Sequence, residues 1–157
     1  MEGISREKVR NARDRLLTFK KEKRLLESSV LQTTLKDNKT EPRYWLQEIV
    51  LFALSTGMRQ DEILSLERKN VDLFRKAVTV VKPKNGDKWP IPLNQTDFEL
   101  IKSKLKVRSI KNNFVFTNLM GEKVNQRNLL RAFYHALKRA GIDDFRFHVL
   151  RHTLPRG

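Results

Sequence analysis

The chain has 157 residues, of which 39% are hydrophobic and 32% charged. That length fits one domain and is enough to bury a core without covalent staples. Lys and Arg number 33 against 18 Asp and Glu, a net charge of +15, which points to a polyanionic partner. The absence of cysteine excludes a disulfide scaffold, a thiol nucleophile and Cys-ligated zinc.

Residues 1–15 are polar and of mixed charge, and read as a linker or the end of a preceding segment. They hold no apolar core of a signal peptide, and no stretch of the chain approaches the ~18 apolar residues of a membrane span. The expectation is a soluble, cytoplasmic protein with no membrane partner. From Thr18 the pattern turns helical, with Leu25, Leu26 and Val30 at helical spacing. Leu35 to Arg43 reads as a loop, and Pro42 suits the first turn of the next helix. That helix, Tyr44 to Ser55, is apolar nearly all round and belongs in a core. Gly57 stops it. A short helix follows, roughly Gln60 to Glu67, with Ile63 and Leu66 inward.

The period then changes to two. Val78 and Val80 share one side, Thr79 and Val81 the other. Lys84 to Lys88 carries Asn-Gly turn chemistry, and Trp89, Ile91 and Leu93 alternate with Pro90 and Pro92. This predicts a β-hairpin whose return strand lies at an edge, because proline cannot donate to a ladder. Phe98, Ile101 and Leu105 restore helical spacing, and Phe114 to Phe116 is a short extended piece. Asn125 caps the last clear helix, which buries Leu130, Phe133 and Leu137 and ends at Gly141. The order predicts a mostly α (α+β) domain with a small antiparallel hairpin or sheet.

Three clusters can carry chemistry. In TGMRQDEIL, Gly57 and Met58 form a tight junction, so Arg59 emerges near a helix start, where a guanidinium fork and free N–H groups suit a phosphate. Arg59 could equally be tied to Glu62. At the hairpin tip, Lys82, Lys84 and Lys88 can enter a groove or deliver a proton, or can simply guard an edge strand. In HVLRH, helical spacing places His148 with Arg151 and His148 with His152 on shared faces. A His148/His152 metal site lacks an adjacent acidic ligand. A His–Arg pair suits a phosphodiester: Arg neutralises an oxygen while imidazole moves a proton.

In this order, the pieces resemble the catalytic domain of the tyrosine recombinases, the phage integrase family, over nearly the whole chain. RLLTFKKEKRLLESS looks like the family's opening helix, and TGMRQDEILSL is similar to its first arginine motif. KNGDKWPIPL resembles the hairpin with the active-site lysine, and FRFHVLRHT after ALKRAGI resembles the His-x-x-Arg box. The resemblance implies that Arg59 and Arg151 clamp the scissile phosphate. It makes Lys84, with Lys82 as runner-up, the donor to the leaving 5′ oxygen, and His148 an acid/base partner of the nucleophile. Glu62 and His152 support them. It implies double-stranded DNA as partner, no metal and no nucleotide cofactor, and a place beside the nucleoid in a bacterial or phage setting.

One departure stands out. The family follows its His-x-x-Arg box with a second His or Trp and then the attacking Tyr, whereas this sequence reads HTLPRG after Arg151. The reading is therefore residues 16–157 as an integrase-like catalytic domain lacking its C-terminal His/Trp and Tyr segment. Tyr44 and Tyr134 precede the box and read as packing residues. The expectation is a protein from a prophage or mobile element that holds DNA and its scissile phosphate but does not cleave it. It would be monomeric in isolation, with an intact recombinase as a possible partner. The alternative is a non-enzymatic DNA-binding accessory or competitor. RNA binding ranks behind both, since no glycine-and-aromatic RNA motif appears.

Overall fold

The computed structural model describes residues 18–34, 37–81, 86–106, 111–118, 120–143 and 145–153; at 33–34, 40–42 and 151–153 it describes the backbone alone. Helix α1 spans Phe19–Ser28, and the Thr18 hydroxyl caps it by accepting the Lys21 N–H at 3.2 Å. The helix stops before Val30. Strands β1 (Leu31–Thr34) and β2 (Thr40–Arg43) then pair antiparallel, Leu31 opposite Arg43. This replaces the expected loop, and Pro42 sits in a strand rather than in a helical turn. A two-stranded ribbon has an outward edge on each strand, so proline is tolerated there. The connecting turn uses Asn38 at φ 66°, a left-handed conformation that asparagine tolerates.

Helix α2 (Trp45–Thr56) is the centre of the molecule. Leu46, Ile49, Val50, Phe52, Ala53 and Leu54 are all buried on it. Around it pack α1, the short α3 (Gln60–Leu64), α4 (Gln95–Lys106), α5 (Gln126–Ala140) and a closing 3-10 helix, Phe147–Thr153. α2 ends at Gly57, where φ is 73° and the N–H reaches the Ala53 carbonyl. A 3-10 turn, Arg68–Asn70, leads into the antiparallel sheet β3 (Val71–Asp72), β4 (Ala77–Val81) and β5 (Lys88–Pro92). The strand order β3-β4-β5 leaves β5, with Pro90 and Pro92, at an edge as expected. The two-residue β3 was too short to show a period. Phe114 to Phe116 is extended, zipped onto the chain after α3 by Val115 N–H to Leu66 O at 2.9 Å and Arg68 N–H to Asn113 O at 2.8 Å.

α5 is capped by Asn125, which accepts from the Arg127 and Asn128 N–H groups, and it ends at Gly141. Its buried face is Leu129, Phe133, Ala136, Leu137 and Ala140. Leu130, expected inside, is only half-buried; Leu129 takes the inner position one step along the helix. Tyr44 and Tyr134, read as packing residues, are 50% and 45% exposed. No described helix is long and apolar enough to cross a membrane.

One buried group costs stability. Asp97, in the first turn of α4, is 1% exposed. Burial raises its pKa to about 6, against a smaller opposing pull from the Ser55 hydroxyl and the Asn94 backbone. The folded protein therefore holds this proton more tightly than the unfolded chain. Stability should fall as pH rises from about 4 to about 6, and the penalty is complete above that. Asp97→Asn, which cannot ionise, is expected to stabilise at about pH 7.5 by on the order of 2 kcal/mol, with the gain gone by about pH 4. Urea unfolding at the two pH values checks this; equal gains at both would assign the effect to something other than ionisation.

Candidate functional site

The site begins at the end of α2. The Thr56 hydroxyl donates to the Phe52 carbonyl at 2.7 Å and accepts the Met58 N–H at 3.2 Å. Gly57 supplies the left-handed residue, and Met58 is buried beneath the junction. The chain is thus turned at a fixed point, and Arg59 becomes the residue that caps α3. Its backbone N–H donates to Glu62 Oε1 at 2.8 Å. Glu62 is spent on the backbone of Arg59 rather than on its side chain. Among the described residues the exposed guanidinium has no carboxylate partner. The prospect of a structural Arg59–Glu62 ion pair is not realised.

A cleft of about 370 Å³ opens beside this junction, lined by Met58, Glu62, Ser65, Lys69, Val81 and Lys88 among others. Val81 and Lys88 form the last ladder pair of the β4–β5 hairpin. The hairpin therefore leaves the sheet from the wall of the cleft that Met58 and Glu62 also line. Gly86 holds φ at 72°, in keeping with the Asn-Gly turn expected there. Lys82 and Lys84 lie outside the described residues.

His148 and Arg151 lie on the closing 3-10 helix, which packs against α2. Phe147 and Leu150, one turn apart, are buried and seat it, and His148 is exposed. The box was read with α-helical spacing. A 3-10 helix has about three residues per turn, so positions 148 and 151 fall directly in line while 152 is displaced by a third of a turn. Register thus favours the His148–Arg151 relation over the His148–His152 one. Of Arg151 and His152 only the backbone is described. α2 links the two boxes: it runs directly into the Arg59 junction, and the helix carrying His148 and Arg151 lies against it.

Sequence reasoning passed over one feature. α5, residues 126–140, contains no Asp or Glu. It exposes Arg127, Arg131 and Lys138, none of them paired with a carboxylate among the described residues. The signal was readable as fifteen acid-free residues in a helix of 15. Such a face attracts a polyanion. Among the described residues no group of three or more His, Asp or Glu could hold a metal ion.

A model of the phage integrase family matches residues 15–156. The integrase of Salmonella phage P22 is 34% identical over 120 residues, covering 69% of this chain and 30% of that protein. The shufflon-specific DNA recombinase of Escherichia coli is 30% identical over 152 residues, covering 97% of this chain and 35% of that protein. Among solved structures, a lambda integrase dimer bound to a COC′ core site superposes with a TM-score of 0.66 at 18% identity, over 88% of this chain and 50% of that one. That likeness gives the fold. The chain spans about a third of the length of these curated relatives.

Proposed function

Because this chain belongs to the phage integrase family, we propose that its residues 16–157 are the phosphate-binding part of a site-specific DNA recombinase, with 1–15 a connecting segment. The observation that supports this most is the Arg59 guanidinium, exposed and without a carboxylate partner among the described residues while Glu62 holds its backbone. A cation held at a fixed junction beside a cleft suits a scissile phosphate. Arg59 and Arg151 would neutralise the charge that grows on the nonbridging oxygens when the phosphorus is attacked, with no reorganisation needed at that moment. Lys84, or Lys82 as runner-up, both between β4 and β5 in the sequence, would give its proton to the departing 5′ oxygen, and His148 would exchange a proton with the attacking group. Glu62 acts by fixing Arg59. The basic face of α5 would hold duplex DNA through its phosphates, with an affinity that falls steeply with salt.

The second reading is a DNA-binding accessory or competitor without chemistry. It is favoured by the acid-free, basic face of α5, which can hold duplex phosphates without any chemistry. The two tyrosines present, Tyr44 and Tyr134, both precede the box. We infer that these 157 residues bind DNA and that neither Tyr44 nor Tyr134, both ahead of the box, serves as the nucleophile. A nicked suicide duplex incubated with the protein should give no covalent protein–DNA band on a denaturing gel. A band that maps to Tyr44 or Tyr134 would overturn this. Duplex DNA should also compete better than RNA of equal length; a preference for RNA would remove the recombinase reading of the basic face.

A further inference from the structure

Phe98, in the first turn of α4, gathers a basic spot that neither the cleft nor α5 accounts for. Lys76 Nζ lies 5.1 Å from the centre of its ring, and Lys102 Nζ lies 5.9 Å from it. The two lysines arrive from different elements. Lys102 is one turn beyond Phe98 on α4, and a helical side chain leans back over the turn before it. Lys76 comes from the β3–β4 turn. Its carbonyl accepts the Leu93 N–H at 2.8 Å, and its φ of 54° is a left-handed conformation that lysine adopts at a cost. The backbone therefore fixes both points from which the ammonium groups reach the ring.

A ring face attracts an ammonium, but two ammonium groups on one ring repel each other. Both lie within a Debye length of its centre, about 8 Å at physiological salt, so an anion beside the ring feels both. A carboxylate could offset this charge, and among the described residues neither lysine has one. Asp72 is beside Arg75, Glu99 accepts from Gln95, and Glu48 is engaged with Lys104. Asp97 is buried on the inner side of α4 with Ile101. Two sets of N–H donors that converge in this way suit the two nonbridging oxygens of a phosphodiester.

We propose that Lys76 and Lys102, gathered on Phe98, form a second binding site for a DNA phosphodiester, separate from the Arg59 cleft. The cleft is walled by Val81 and Lys88, at the hairpin end of β4, whereas Lys76 precedes its other end. Five strand residues span on the order of 17 Å. The phosphodiester can belong to the duplex held at the cleft, where that duplex runs along the strand, or to a second duplex, where it crosses the strand. The site does not depend on the role of Arg59.

Two measurements test it: fluorescence anisotropy of a labelled duplex across a range of salt, and energy transfer between donor-labelled and acceptor-labelled duplexes mixed with the protein. The proteins are the wild type, Lys76→Gln/Lys102→Gln, Phe98→Leu and a control pair, Lys20→Gln/Lys23→Gln, at exposed lysines of α1. Melting curves confirm that each is folded. If one duplex covers both sites, Lys76→Gln/Lys102→Gln should weaken binding about fivefold at moderate salt and lower the slope of log affinity against log salt by about one. If a second duplex occupies the site, the wild type should give energy transfer, and that variant should abolish it while its affinity for the first duplex holds. In either case Phe98→Leu, which keeps both charges but removes the ring that gathers them, should reproduce the loss. The control pair should stay within about twofold of wild type, since distant surface charges are screened. A Lys76→Gln/Lys102→Gln protein that matches wild type in both measurements would overturn the site. So would a control pair that loses as much, or a folded Phe98→Leu protein that loses nothing. Arg59→Ala should leave the effect of these variants in place, so a failure of the Arg59 reading is seen separately.

Discussion

Arg59→Ala is expected to weaken binding to duplex DNA about tenfold at moderate salt and to reduce the slope of log affinity against log salt by about one. The size follows from the residue's situation. A charge-assisted bond to a phosphate oxygen contributes roughly 1.5–3 kcal/mol, and it is available only to a guanidinium not already engaged. Arg59 meets that condition because Glu62 accepts its backbone N–H at 2.8 Å. Arg59→Lys should recover the salt slope but not the full affinity, since an ammonium lacks the planar fork. Arg75→Ala is the matched control. It removes the same charge from the exposed β3–β4 turn, where Arg75 lies 3.8 Å from Asp72. A duplex titration in which Arg75→Ala and Arg59→Ala lose equally would mean that net charge, and not a site, holds the DNA.

How far the sequence carried this reading differs by element, for physical reasons. The α5 cap at Asn125 and its stop at Gly141 were legible because side-chain capping and left-handed glycine are local properties. The edge position of β5 was legible from Pro90 and Pro92, which cannot serve an inner ladder. The β1–β2 ribbon was missed because Pro42 reads equally as a helix opener and as an edge-strand residue, and only pairing with Gln32 decides between them. The helix type of the HVLRH segment was missed for a similar reason. Seven residues are too few for period alone to separate 3-10 from α spacing, and burial of Phe147 and Leu150 three apart suits either. Asp97 could not be recognised as buried, since an acid three residues after a capping asparagine reads as an ordinary exposed first-turn carboxylate. Arg59 was legible as a residue, but that Glu62 serves its backbone and not its guanidinium was not; that needed the position of the Glu62 carboxylate.

The site also depends on a ring far from any phosphate. Phe133, on α5, is fully buried, and its ring meets that of Phe147 edge-on at 5.0 Å and that of Phe145 at 6.4 Å. Phe147 opens the helix that carries His148 and Arg151, so α5 and the second arginine box are joined through aromatic contact. Phe133→Ala removes that support and leaves a cavity. The expected loss is about 3–5 kcal/mol, a large share of the roughly 5–15 kcal/mol that holds a domain of this size. It should appear in urea as a lower midpoint with an unchanged slope. Amide exchange should quicken in residues 147–153 before it does in α2, because Phe147, which opens this short helix, rests on the Phe133 ring. DNA affinity should fall by more than the unfolded fraction explains. Phe74→Ala, at a ring 95% exposed in the β3–β4 turn, should stay within about 0.5 kcal/mol of wild type. A Phe133→Ala loss below about 1 kcal/mol would show that the closing helix is seated by something other than this ring.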